Sequence, residues 1–299
     1  VTQPPLQLDG IFPPIPTSFD DEGSVSARSI CLHIENLNKF DLRGYVVLGS
    51  NGESVLLTEE EKLSVFEYAR DVIPQEKLMI AGVGCESTAQ TLTLAKKSAE
   101  IGANAVLVIT PSYYKNRMTA EALNVHFRTV ADACPVPVVV YNMPACTGID
   151  LNAETVAALA EHPNIIGIKD SGGNIIKIGQ IIRLTSTDFQ VLAGSASFLL
   201  PALSVGAVGG ILALANIAPA ECLAIRKHFM DGDLEKAREL QIRMIPVNNA
   251  ITREGGVPAL KAAMDMLGHQ GGPVRQPLLP LSDEEKHHLR KVLQDGGVL

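Results

Sequence analysis

The chain has 299 residues, a formal net charge of −8 and 46% hydrophobic residues, with 4% aromatics and no Trp. Its acidic groups are spread along the sequence with no basic stripe to neutralise phosphates, which excludes nucleic acid as an expected partner and reads as solubility. No run approaches the roughly 20 apolar residues of a membrane span, and the opening segment 1–9 is too short and too uncharged for a signal peptide.

Short apolar runs bounded by Gly, Pro, Asn or Asp recur in chain order at 10–16, 44–49, 78–82, 105–110, 136–142, 165–169, 189–194 and 207–214. Most are unbroken rather than alternating, as strands buried on both faces of a parallel sheet should be, and 106–109 and 138–141 are also rich in β-branched residues. Helical patterns lie between them. Thr58-Glu-Glu-Glu61 has capping-box spacing ahead of Leu63, Val65, Phe66 and Ala69, and Asn152 opens a segment with Val156, Leu159 and Ala160 on one side. Eight strand–helix units predict an α/β fold, a (β/α)8 TIM barrel in preference to an open doubly wound sheet. Three amphipathic segments follow at 234–250, 257–267 and 282–293, the last opening on another Ser-x-x-Glu box. They read as a C-terminal helical extension packed on the barrel, dividing the chain into a barrel at 1–232 and an extension at 233–299.

The five cysteines, Cys31, Cys85, Cys134, Cys146 and Cys222, are odd in number and never form a CxxC pair, a usage suited to a reducing compartment. HxH and HExxH are also missing, and His287-His288 lies in a charged segment, so no protein-built metal site is expected.

Barrel enzymes carry their chemistry at the C-terminal ends of strands. The second strand runs into Gly49-Ser-Asn-Gly-Glu53, where successive backbone N–H groups and the Ser50 hydroxyl can hold a small anion such as a carboxylate. An ordinary Gly/Asn turn is the alternative. The fifth strand ends in Tyr141-Asn142 and the sixth in Lys169-Asp-Ser-Gly-Gly173. Adjacent strands lie about 4.8 Å apart, so the Tyr141 phenol and the Lys169 amine can reach one substrate atom above the barrel. A lysine closing an apolar strand is costly, because burial disfavours its ammonium form; the free amine that results can attack a carbonyl. Pairing with Asp170 would be the blander reading, but neighbouring strand residues point to opposite faces. Thr110-Pro-Ser-Tyr-Tyr114 and Ala193-Gly-Ser195 close two further strands and fit the walls of the same pocket. Gly206-Ala-Val-Gly-Gly210 could cradle a phosphate, although close packing explains it as well.

Together, Gly49-Ser-Asn-Gly-Glu53, Thr110-Pro-Ser-Tyr-Tyr114, Tyr141-Asn-Met-Pro-Ala-Cys-Thr-Gly148, Ile168-Lys-Asp-Ser171 and Ala193-Gly-Ser195 span nearly the whole chain. The set resembles the pyruvate-dependent class I aldolases of the dihydrodipicolinate synthase and N-acetylneuraminate lyase family. Its Ser-Asn loop and Lys-Asp-Ser-Gly-Gly stretch are most similar to the eukaryotic 4-hydroxy-2-oxoglutarate aldolases, which are mitochondrial and release pyruvate and glyoxylate. The resemblance implies Lys169 as the Schiff-base lysine and Tyr141 as the proton-transfer residue. It further implies Ser50 and Asn51 as holders of the pyruvyl carboxylate, Ser171 and Gly194 as substrate-lining residues, and Tyr113 or Tyr114 as the tyrosine inserted into a neighbouring subunit of a homotetramer. A small 2-oxo acid is the expected ligand. The protonated imine serves as the electron sink, so no metal or organic cofactor is expected. The compartment expected on this basis is the mitochondrion, with the cytoplasm as the alternative, and a chain beginning without Met fits the loss of a targeting segment.

One position departs from the family pattern. Dihydrodipicolinate synthases carry an Arg after the Pro-Gly that follows the catalytic Tyr, whereas Pro144-Ala-Cys-Thr147 offers no positive charge. A different distal-carboxylate contact is therefore needed, and Arg117 and Ser171 are the candidates. The rival activities are another pyruvate-dependent lyase or synthase of the family, such as dihydrodipicolinate synthase or a sugar-acid aldolase, and a 2-oxo-acid-binding protein without turnover.

Overall fold

The computed structural model describes residues 6–299, so the first five residues of the segment 1–9 lie outside the described residues. Nine strand segments form one parallel sheet: β1 (Ile11–Phe12), β2 (Pro14–Ile15), β3 (Gly44–Val47), β4 (Leu78–Gly82), β5 (Ala105–Ile109), β6 (Val138–Asn142), β7 (Ile165–Asp170), β8 (Gln190–Ala193) and β9 (Gly209–Ile211). The first two are one stretch of chain divided at Pro13, which has no N–H to give to a ladder. β1 pairs with β9 and β2 with β3, so this divided stretch closes the ring. The molecule is therefore a (β/α)8 barrel with further helices at its C-terminal end.

Most sequence-predicted strands fall within a residue or two of their observed bounds. The fifth run starts two residues late, at Val138, because Pro137 has no N–H for the ladder. The eighth is shorter than expected, since the chain leaves the sheet into a 3-10 turn, Ala213–Asn216, tied by Asn216 Nδ2 donating to the Ala213 and Pro14 carbonyls. Gly209 backs onto the Gly10 carbonyl, which would lie 1.9 Å from any Cβ built there. Close strand packing thus explains Gly209, while Gly206 has a left-handed backbone, with φ of 108°.

Two apolar layers result from the strand alternation. Phe12, Val46, Ile80, Ala105, Leu107, Val139, Leu192 and Ile211 fill the barrel, with Leu8 entering from the preceding segment. Ile11, Val47, Met79, Val106, Val108, Val140 and Ile168 face outward under the helices. Those helices are α1 (Ala27–Leu37), α2 (Glu59–Val72), α3 (Thr88–Ile101), α4 (Ala120–Ala133), the short α5 (Pro144–Thr147), α6 (Ala153–Ala160), α7 (Ile175–Leu184), α8 (Leu199–Ser204) and α9 (Pro219–Met230). The capping box on α2 forms between Thr58 and Glu61, an arrangement worth about 1 kcal/mol for the capping side chain. Beyond them lie α10 (Leu234–Asn249), α11 (Gly256–Met266) and α12 (Asp283–Asp295), of which α10 packs along α9 and α11 against α12. All five cysteines are free, and no described helix is long and apolar enough to cross a membrane.

Candidate active site

The bulge between Val138 and Val139 sets the register that brings Tyr141 opposite Lys169 across β6 and β7. Both side chains take the inward face, and both are buried; Lys169 is 2% exposed. The Lys169 amine lies 4.0 Å from the centroid of the Tyr141 ring. Among the described residues it has no acidic partner within ion-pair distance. The Tyr141 phenol reaches the Ser50 hydroxyl at 3.3 Å, which joins the second-strand loop to this pair.

That loop is held in an unusual conformation. Leu48 and Glu53, at its two ends, both have left-handed backbones, with φ of 61° and 53°. Such residues carry strain of order 1–3 kcal/mol each and persist where surrounding contacts fix them. Between them Ser50–Gly52 makes one 3-10 turn, with Asn51 half-buried beside Ser50. The fixing contacts are visible. The Gly52 carbonyl accepts from Thr17 Oγ1 at 2.7 Å, and the buried Glu53 carboxylate meets Lys261 Nζ at 2.5 Å and the Arg275 N–H at 2.8 Å. Lys261 also donates to the Pro273 carbonyl at 2.8 Å, and Arg275 binds Glu61 through two bonds of 2.6 and 2.7 Å. Burial pushes the Lys261 amine below its ordinary range, with the Glu53 charge opposing. Lys261 on α11 and Arg275, in the stretch between α11 and α12, therefore hold the loop that carries Ser50 and Asn51.

On the opposite side, Ser171 follows Lys169 by two residues and its hydroxyl is buried without a protein hydrogen-bond partner; the Thr110 hydroxyl shares this condition. An unsatisfied buried hydroxyl costs about 1–3 kcal/mol, which a polar ligand would relieve. Gly194 is required by this arrangement, because a Cβ there would fall 2.0 Å from Ser171 Oγ. Cys146 on α5 has its thiol raised by desolvation, with the Lys169 charge opposing.

The tyrosine loop stands apart. Tyr113 and Tyr114 are 78% and 70% exposed and meet only edge to face, with ring centroids 5.1 Å apart. Glu86 anchors the loop by accepting from the Ser112 and Tyr113 N–H groups at 2.9 and 2.8 Å. Arg117 is exposed. Lys115, also exposed, lies along Gly148, its Nζ 3.0 Å from where a Cβ would sit. Lys115, Glu86, Lys261 and Arg275 carry no motif of their own in the sequence. No group of three or more His, Cys, Asp or Glu among the described residues could hold a metal ion.

The chain matches the model of the Dihydrodipicolinate synthetase family over residues 7–296. It is 38% identical over 285 residues, covering 95% of both chains, to a 4-hydroxy-tetrahydrodipicolinate synthase of Methanothrix thermoacetophila. Among solved structures, dihydrodipicolinate synthase DapA-2 of Bacillus anthracis superposes with a TM-score of 0.93 at 32% identity, covering 97% of this chain and 98% of that one. YagE, a prophage protein of the dihydrodipicolinic acid synthase family from E. coli K12 solved in complex with pyruvate, gives 0.92 at 30% identity, covering 98% of this chain and 100% of that one.

These similarities correct one expectation and rebalance another. The relatives from Methanothrix thermoacetophila, Halobacterium salinarum and Caldicellulosiruptor bescii are archaeal and bacterial, and such cells have no mitochondria. The mitochondrial placement implied by the eukaryotic resemblance is therefore withdrawn. The relatives also support a dihydrodipicolinate synthase-type lyase, the rival activity, more directly than cleavage of 4-hydroxy-2-oxoglutarate. With a family match over nearly its whole length and a lysine and a tyrosine facing each other inside the barrel, the chain belongs to the dihydrodipicolinate synthetase family of pyruvate-dependent class I aldolases.

Proposed function

We propose that this protein is a Schiff-base lyase acting on 4-hydroxy-2-oxo acids, with 4-hydroxy-2-oxoglutarate as substrate and pyruvate and glyoxylate as products. The observation that carries the first part is the unpaired Lys169 amine beside the Tyr141 phenol, which in turn touches Ser50. Lys169 Nζ attacks the C2 carbonyl and, with loss of water, forms a protonated imine. The Tyr141 phenol gives its proton to the departing C2 hydroxyl, and the phenolate so formed accepts the C4 hydroxyl proton as the C3–C4 bond breaks, the bonding electrons pass into the imine, and glyoxylate leaves. The resulting enamine takes a proton at C3 and is hydrolysed to pyruvate, which restores the amine. Ser50, Asn51 and the loop N–H groups hold the carboxylate next to C2, while the unpartnered Ser171 hydroxyl and Gly194 face the substrate from the other side. The iminium supplies the electron sink, so the reaction requires no metal, and treatment with EDTA leaves turnover unchanged.

The choice of substrate rests on Cys146, which stands where a synthase would hold its second substrate with Arg. Lys115, lying along Gly148 at the same rim, is the cation we assign to the distal carboxylate of the diacid, in place of Arg117. The synthase reading is favoured by the names of the relatives. Steady-state rates on both reactions separate the two. We expect kcat/KM for cleavage of 4-hydroxy-2-oxoglutarate to exceed that for condensation of pyruvate with aspartate semialdehyde by about tenfold or more, the value of one charge-assisted contact. The reverse ratio would establish the synthase. Lys115→Met should raise KM for the diacid and leave imine formation with pyruvate intact.

A homotetramer built from dimers completes the proposal. It is supported by the exposure of Tyr113 and Tyr114 on a loop anchored from behind by Glu86.

A further inference from the structure

Behind the reacting pair lies a second, fully polar pair. Asn142 and Asp170 occupy the next register position after Tyr141 and Lys169, so their side chains take the opposite, helix-facing side of the same two strands. Both residues are 0% exposed. Asn142 Nδ2 donates to Asp170 Oδ2 at 2.8 Å and to Asp150 Oδ1 at 2.7 Å, while its Oδ1 accepts the Leu151 N–H at 3.0 Å. Asp170 Oδ1 accepts the Gly172 N–H at 2.9 Å. Lys177, from the first turn of α7, closes the cluster with its amine 2.9 Å from Asp170 Oδ2 and in contact with Asp150. Backbone bonds run alongside: the Ser171 N–H donates to the Asn142 carbonyl and the Gly194 N–H to the Asp170 carbonyl, at 2.9 and 2.7 Å.

The cluster ties together four pieces of chain that bear on the site. They are the ends of β6 and β7, the segment at Asp150 and Leu151 that follows α5, and the start of α7. Net stability is a poor explanation for it, since well-packed apolar side chains of similar volume commonly serve as well as a buried ion cluster or better. Direct contact with substrate is also a poor explanation, because these side chains point away from the barrel interior. Their hydrogen-bonding capacity is spent on fixing one strand end against the other. We propose that Asp170 and Lys177 are positioning residues, which hold the Tyr141 phenol and the Lys169 amine at the separation that proton transfer after imine formation requires.

This inference rests on the reading of Lys169 and Tyr141 as the reacting pair, and its test separates the two. Full-length wild type, Asp170→Asn, Lys177→Met, Lys177→Arg and the double variant Asp170→Asn/Lys177→Met are each treated with pyruvate and borohydride to count trappable sites. Turnover of 4-hydroxy-2-oxoglutarate is then measured per trappable site. A misplacement of about 1 Å between reacting groups costs on the order of a hundredfold in rate. We therefore expect kcat per trappable site to fall about 10–100-fold in Asp170→Asn and Lys177→Met, KM to change by less than about threefold, and Lys177→Arg to recover part of the loss. The double variant removes both charges and should fold where a single one does not, yet remain slow. Trapping with normal kcat per site in any folded variant lacking the Asp170–Lys177 pair would overturn the positioning role. So would a loss of activity fully accounted for by fewer trappable sites. Failure to trap the wild type would instead overturn the Schiff-base reading itself.

Discussion

The Lys169 amine rests 4.0 Å from the centroid of the Tyr141 ring, with the phenol oxygen directed toward Ser50. The ring thus packs on the amine while the hydroxyl remains available for a proton. Substitutions should separate these two parts. Lys169→Arg should abolish both turnover and borohydride labelling by pyruvate, because a guanidinium stays charged and cannot act as a nucleophile. Tyr141→Phe should retain labelling while cleavage falls by about 100-fold or more, the range of general acid–base catalysis. Peptide mapping of the reduced adduct should find it on Lys169. An active wild-type enzyme that carries its label on Lys177 or Lys261 would refute the assignment.

Lys261 and Glu53 form a pair in which each side chain is 1% exposed. Removing one partner leaves the other charge buried alone, which costs about 3–5 kcal/mol. Lys261→Met should therefore lower the urea midpoint strongly and also raise KM, because the strained Ser50–Asn51 loop loses its anchor. Glu53→Gln combined with Lys261→Met should recover much of the stability. Single and double variants with equal midpoints would show that the pair does not act as a unit.

Acid stability should depend on His33. Its ring, 1% exposed on α1, is lowered to about 4 by burial, against an opposing bond to Asn216 and in line with repulsion from His269. Asn216 uses its amide nitrogen on the Pro14 and Ala213 carbonyls, so its oxygen faces His33 Nε2 at 3.0 Å and requires that nitrogen to donate. The unfolded chain binds this proton near pH 6.5, whereas the folded chain resists it down to about 4. Stability is thus fully present above pH 6.5 and declines as the pH falls, by roughly 3 kcal/mol once pH 4 is passed. His269 is also lowered by burial and adds to the same slope. His33→Gln, which keeps a donor for Asn216, should flatten the change in urea midpoint between pH 7 and pH 4.5. An unaltered slope would assign acid sensitivity to other groups.

The Tyr113–Tyr114 loop should be protected in the assembled protein. Analytical ultracentrifugation at assay concentration should return a tetramer, and replacing both tyrosines by Ala should shift it toward smaller species with lower kcat per chain. A fully active wild-type monomer would contradict this.

Much of the barrel could be read directly because parallel strands buried on both faces leave unbroken apolar runs. Lys169 stood out for the same reason, as a charged residue ending the run at Ile168. Lys261 gave no such signal. In a helix with Leu260, Ala263 and Met264 it reads as an ordinary solvent-facing lysine, and its partner Glu53 lies near the other end of the chain. Asp170 could be excluded from the Lys169 face by strand alternation, but its bonds to Asn142 and Lys177 depend on how α7 settles against the sheet. The Pro144–Thr147 segment lacks an arginine in the sequence itself, whereas the nearness of Lys115 to Gly148 is visible only in the structure.

The first strand pairs through Ile11 with Gly210 on one side and through Pro14 with Val46 on the other. During synthesis, residues 11–12 therefore emerge with a ladder partner that the ribosome makes only after six further strands. Until Gly209–Ile211 arrives, the growing sheet presents an open edge, the feature that makes nascent chains pair wrongly with one another. Closure is a long-range contact and correspondingly slow. A chain stalled before β9 is an aggregation hazard in a way that one stalled after it is not, so chaperone demand should be greatest in the interval before the eighth unit is complete.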